Sequence, residues 1–158
     1  MKHFTATLLL VLVAVVASAQ SKSFITLKEK FAGEKEVFAF RFSGGFARLA
    51  LRIAGEHDFY DAIRDVRNVR FIVIPKNAFY EKRLSLNGFR KFAKEDGFEE
   101  VASIRDHGDN VDILVQPGKK DNNRYLVLID DGGEVVAVEM NGYINPEEIR
   151  REIAYNNR

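Results

Sequence analysis

The stretch RDHGDNVD, Arg105 to Asp112, gathers Asp106, Asp109 and Asp112 around His107, Gly108 and Asn110. Carboxylates so close together are what a calcium loop offers. Such a loop also needs a glycine at its sixth position, to turn sharply, and a glutamate at its twelfth. Counting from Asp106, those positions hold Val111 and Pro117, so the pattern fails. Gly108, Asp109 and Asn110 are instead the residue types that make a hairpin turn, because they tolerate the left-handed backbone such turns use. Asp112 lies in the alternating run VDILVQ, pointing away from Val111 and apart from the turn. The expectation is a hairpin tip without a metal.

A second polar knot, GEHDFYD, holds Glu56, His57, Asp58 and Asp61. A His with two carboxylates can ligate a divalent ion. The same residues also fit a helix start, with Asp58 as the N-cap and Asp61 in the first turn, where the helix dipole favours negative charge. That reading is preferred. FSGGF places Gly44 and Gly45 between a strand and a helix, but the Lys-Ser/Thr pair of a phosphate loop and the third glycine of a dinucleotide fingerprint are both missing. Ser43 lacks the G-x-S-x-G elbow of a hydrolase nucleophile. No catalytic residue, cofactor or metal ligand is therefore assigned.

The N-terminus reads MKHFTATLLLVLVAVVASAQ. Lys2 and His3 give a positive start, Leu8 to Val16 an unbroken apolar run, and Ala17-Ser18-Ala19 a small-residue cleavage signal. These are the parts of a secretory signal peptide. The run is too short to span about 30 Å of hydrocarbon. Residues 1–19 are expected to be removed, with cleavage between Ala19 and Gln20, leaving residues 20–158 as one domain. The chain has no cysteine, which excludes disulfides, zinc-thiolate sites, thiol nucleophiles and lipidation at an N-terminal Cys. A soluble periplasmic or secreted product is expected.

With 24 Lys plus Arg against 23 Asp plus Glu, the charges are balanced. Nucleic acid is excluded as a partner, since it needs a basic face to release counterions. The densest basic spot, Arg64, Arg67 and Arg70, is interrupted by Asp61 and Asp65 and reads as a solvated, salt-bridged face. Thirteen Phe stand beside no Trp, and core packing is their expected role.

Periodicity supplies the elements that would position any site. SFITLKEKF sets Phe24, Leu27 and Phe31 on one helical face, with Ser23 as cap and Gly33 as stop. EVFAFRF alternates, with Phe38, Phe40 and Phe42 on one side of a strand. A helix over GGFARLALRIAG follows, carrying Phe46, Leu49 and Ile53. VRFIVI reads as a strand stopped by Pro75, and LNGFRKFAKEDG as a helix ending at Gly97. FEEVASIRD, VDILVQ, RYLVLID and EVVAVEMN are four short strands separated by tight turns, so they must run antiparallel. Asn145, Pro146 and Glu148 open a terminal helix. The expected fold class is α+β: a mainly antiparallel sheet ending in a four-stranded meander, with helices packed on one face. Val111, Ile113 and Val115 are expected to face those helices.

Over nearly all of residues 20–158, from SFITLKEKF through VRFIVI and LNGFRKFAKEDG to the closing stretch RYLVLIDDGGEVVAVEMNGYINPEEI, the chain resembles the bacterial domain-of-unknown-function family 4252. The resemblance implies an exported protein of the Gram-negative envelope. Many members carry a lipidation signal, and this chain departs from them by lacking the Cys. It carries no catalytic motif and no functional residues to transfer. The function expected is a non-catalytic binding module for an envelope protein or peptide, the alternative being a small periplasmic enzyme. Its contact surface is sought at the edge of the meander or beside Phe42 to Phe46.

Overall fold

The computed structural model of the chain describes residues 20–47, 65–106 and 108–144. Ala19, the cluster of Glu56, His57, Asp58 and Asp61, His107, and the terminal helix expected from Asn145 lie outside the described residues. Ser21 opens helix α1 (Lys22–Lys30). Its hydroxyl accepts the Phe24 N–H at 3.1 Å, so the cap sits two residues before the expected Ser23. Ser23 instead donates its N–H and hydroxyl to Asp96 Oδ2, both at 2.8 Å, and ties α1 to the end of another helix. Phe24, Leu27 and Phe31 fall on the buried side, as their spacing demands.

Strand β1 (Phe38–Ser43) pairs with β2 (Asp65–Pro75). Residues 44–47 are helical, the described start of the helix expected after Gly44. Pro75 ends β2, and the chain enters helix α2 (Lys76–Glu81), a short element absent from the sequence-based reading, and then α3 (Leu86–Glu95). Ser85 caps α3 by accepting the Gly88 N–H at 3.0 Å. Gly97, at φ +91°, takes the left-handed step after it. Then come β3 (Glu99–Asp106), β4 (Asp109–Gln116), β5 (Asn123–Asp130) and β6 (Glu134–Tyr143).

The sheet has six strands in the order β1-β2-β6-β5-β4-β3, and every neighbouring pair is antiparallel. The late meander forms as expected, and β2 docks on its last strand. That order makes β2 and β3 run in the same direction at separated positions. Strands so placed need a long crossover, and α2 and α3 supply it. The helices therefore lie across one face of the sheet. Beneath them is a core of Phe24, Leu27, Phe31, Ile72, Ile74, Phe79, Phe89, Phe98, Leu114, Leu126 and Leu128. Phe31 and Phe79 stack with centroids 6.1 Å apart.

One expectation is overturned here. Val111, Ile113 and Val115 face away from the helices, and Asp112 and Leu114 point at them. The register fixes this: Leu114 pairs with the buried Leu126, and Asp112 with the buried Leu128. The β1 phenylalanines are also on the outer side. Phe38 and Phe40 are 56% and 53% exposed, and they are not core residues.

The sheet end near β2 and β6 depends on Gly142. Its φ is +138°, and a Cβ there would stand 2.2 Å from the Asp65 carbonyl oxygen and 2.8 Å from Val66 Cα, beside the register shift between Val66 and Asn68. Gly142→Ala is expected to lower stability by about 1–3 kcal/mol through backbone strain alone. Urea denaturation reads this directly. A loss below about 0.5 kcal/mol, the level of an ordinary surface change, would mean that the strand end relaxes.

Candidate functional site

Two surfaces of the sheet carry chemistry of opposite kinds. On the helix side, charged residues sit in the inward register of strands. Glu139 follows Val135 and Ala137 on the inner face of β6 and is 0% exposed. Its carboxylate accepts the Ser21 hydroxyl at 2.9 Å, the Ser21 N–H at 3.3 Å and Arg70 Nη1 at 3.0 Å, with Arg124 Nε 3.6 Å away. Burial pushes the Glu139 carboxyl above its usual range, against the pull of the Ser21 donors and of Arg70 and Arg124. Arg70 is 2% exposed, so the basic cluster read from the sequence as a solvated face has its third member inside the protein. Arg67 remains exposed, and Arg64 lies outside the described residues.

Asp112 is the second buried carboxylate. It accepts Arg90 Nε at 2.5 Å, the Ser103 hydroxyl at 2.8 Å and Arg105 Nη2 at 2.8 Å. Burial alone would raise it. The bonds from Ser103, Arg105 and Arg90 win, and hold it below the usual carboxylate range. Asp130 behaves alike: burial raises it, while Lys76 Nζ at 2.8 Å and the Gly132 N–H at 3.1 Å bring it down. Each of these acids is engaged by donors. They fasten helix to sheet and strand to strand.

The residues singled out in RDHGDNVD part company accordingly. Asp106 pairs in register with the exposed Asp109 at the end of the β3–β4 hairpin, and Gly108 turns at φ +103°. Asp109 and Asn110 already belong to β4. Asp112 is drawn inward. Among the described residues, no three His, Asp or Glu side chains gather where they could hold a metal ion. The residues that sequence reasoning missed are Glu139 and Arg90, and it placed Arg70 in solvent. The available signal was a charge in the apolar phase of a strand, as in Val135-Ala137-Glu139.

The opposite face is apolar. Ile113, Val115, Tyr125, Val127, Met140 and Ile144 line a groove of about 490 Å³, which Val101 borders on edge strand β3. Toward the other edge, Phe40 and Phe71 stack at 5.1 Å, Phe42 meets Phe71 at 5.9 Å, and Phe46 meets Phe42 at 5.8 Å. The meander edge and the Phe42–Phe46 region thus share this one face. No described helix is long and apolar enough to cross a membrane.

Comparison with known proteins matches residues 31–151 to a family model described as a domain of unknown function, DUF4252. No curated protein matches the chain, and no solved structure does.

Proposed function

The chain belongs to the domain-of-unknown-function family 4252, and from that premise we propose that it is an exported envelope protein acting as a non-catalytic binding module for an envelope protein or peptide. The observation that carries the reading is the apolar groove on the sheet face away from the helices. A groove of this size is of the order that ligand sites use. It is bordered by β3, which among the described residues has a partner strand on one side only. An extended peptide can bond to that edge through its backbone and set alternate side chains beside the exposed Val101 and Ile104 of β3, with the groove of Ile113, Val115 and Val127 beyond them. Polar atoms of Asn123 and Tyr125 near the groove can orient it. The buried acids speak against an enzyme, since each is held by a cation or a hydroxyl and lies on the other face. The leader ending at Ala19 supports export.

The test is a photo-crosslinking amino acid placed in living cells at Val115 or Val127, with Lys91 on the exposed side of α3 as the control. One discrete adduct with a single envelope protein or peptide, formed at the groove positions only, is expected. The protein recovered from the envelope fraction should begin at Gln20. Equal crosslinking at Lys91, or none at Val115 and Val127, would sink the binding surface. A cytoplasmic product retaining residues 1–19 would sink export.

A further inference from the structure

A pocket of about 90 Å³ opens between α1 and the β1–β2 edge, lined by Gln20, Phe24, Lys28, Ala39, Arg41 and Arg70, with Phe40 and Phe71 completing it. Three of its residues are cations and none is an acid. Arg70 is 2% exposed, and its Nη1 donates to Glu139 at 3.0 Å. Among the described residues its Nε and Nη2 have no hydrogen-bond partner. Those two nitrogens carry the parallel N–H bonds on one edge of the planar guanidinium, the fork that grips two oxygens of a carboxylate or phosphate at once. Buried donors left without partners are rare and costly. Nearby charge compounds the cost. Arg41 stands opposite Arg70 in the β1–β2 register, and Arg124 shares Glu139 with it. One carboxylate thus faces two guanidinium groups, with Arg41 and Lys28 beyond them.

We propose that this pocket binds a small oxyanion, a phosphate or carboxylate group, flanked by Lys28 and Arg41 and drawn to Arg70, whose Nε and Nη2 are covered in this structure and must be uncovered for a side-on clasp to form. Its volume is that of about three waters, enough for the anionic group itself. The rest of any ligand must remain outside, past Gln20 and Lys28. The inference is independent of the groove, which lies on the opposite face of the sheet.

The probe is inorganic phosphate, followed by thermal melting and by calorimetric titration of the chain from Gln20 onward. Phosphate is expected to raise the melting temperature above that of a sodium chloride control matched in ionic strength. The double variant Lys28→Gln with Arg41→Gln changes only exposed side chains. It should keep the wild-type fold and bind phosphate about tenfold more weakly or less well still, through lost charge-assisted bonds. Arg70→Met should abolish the response. Because that variant can also destabilise the core, the double variant is the deciding one. Vesicles of phosphatidylglycerol in phosphatidylcholine separate the sources. Sedimentation with them, competed by phosphate, puts the oxyanion on a lipid headgroup, whereas a phosphate response without sedimentation puts it on a free solute. No phosphate effect beyond the chloride control, or an equal effect in the double variant, overturns the site.

Discussion

Leu114→Asp is expected to leave no folded domain, whereas Ile113→Asp, one position earlier in the same strand, is expected to fold and to unfold cooperatively. Leu114 is 0% exposed and belongs to the cluster under α2 and α3. Its nearest cross-strand neighbours on that face are Leu126 and Glu100. Cutting a leucine back in such a place costs about 2–5 kcal/mol. An unpaired carboxylate adds several kcal/mol more, paid either as desolvation or as forced protonation. The sum rivals the roughly 5–15 kcal/mol that hold a domain together. Ile113 lies on the other face, half-buried along the groove, where a carboxylate reaches water. The expected loss there is about 1–2 kcal/mol, from poorer strand propensity and lost apolar contact. Circular dichroism and urea titration of the two variants decide the matter. If Ile113→Asp is as damaging as Leu114→Asp, the groove face is closed in solution, and the binding proposal loses its surface.

Glu139→Gln is expected to cost about 3–5 kcal/mol, the penalty for leaving a buried charge without its partner. The substitution keeps the side chain's size and one acceptor oxygen, so packing changes little. What it removes is the negative charge that faces Arg70, Arg124 and Ser21. The double replacement Arg70→Met with Glu139→Leu is expected to recover much of the loss, because well-packed apolar residues can match a buried ion pair whose desolvation was already expensive. A double-mutant cycle in urea isolates the coupling. A loss below about 1 kcal/mol for Glu139→Gln, a value ordinary for an exposed pair, would mean that water enters the site and screens it.

Both results turn on the same question of which way a strand faces. In β4 the apolar residues occupy both phases, Val111, Ile113 and Val115 in one and Leu114 in the other. Alternation then cannot say which set goes inward. The set with more hydrophobic members looked like the core side and is the groove side. Asp112 in the opposite phase looked like a solvent marker. It is tolerated inside because Arg90 arrives from α3, and Ser103 and Arg105 from β3. Three donors from two elements make a buried carboxylate tolerable, and it is the packing of α3 over β4, not the spacing of the residues, that brings Arg90 to it.

The amino-acid sequence alone determined most of the parts list, the short α2 excepted. Alternating residues and glycine-rich turns marked the six strands, because side-chain period and positive φ are local properties. Helical spacing marked α1 and α3 and chose the buried face of α1 correctly, since Phe24, Leu27 and Phe31 form a single stripe. Tight turns forced the antiparallel meander. The tertiary structure decided the rest. It set β2 against β6, across a separation of 69 residues between Arg70 and Glu139. It sent α2 and α3 over one face, and so sorted the strand residues into a side with pinned charges beneath those helices and an apolar side that no described helix covers. The physical reason is that a strand's periodicity defines two faces but not their names. Only the helices that cross the sheet, and the partners they bring to each buried charge, tell one face from the other.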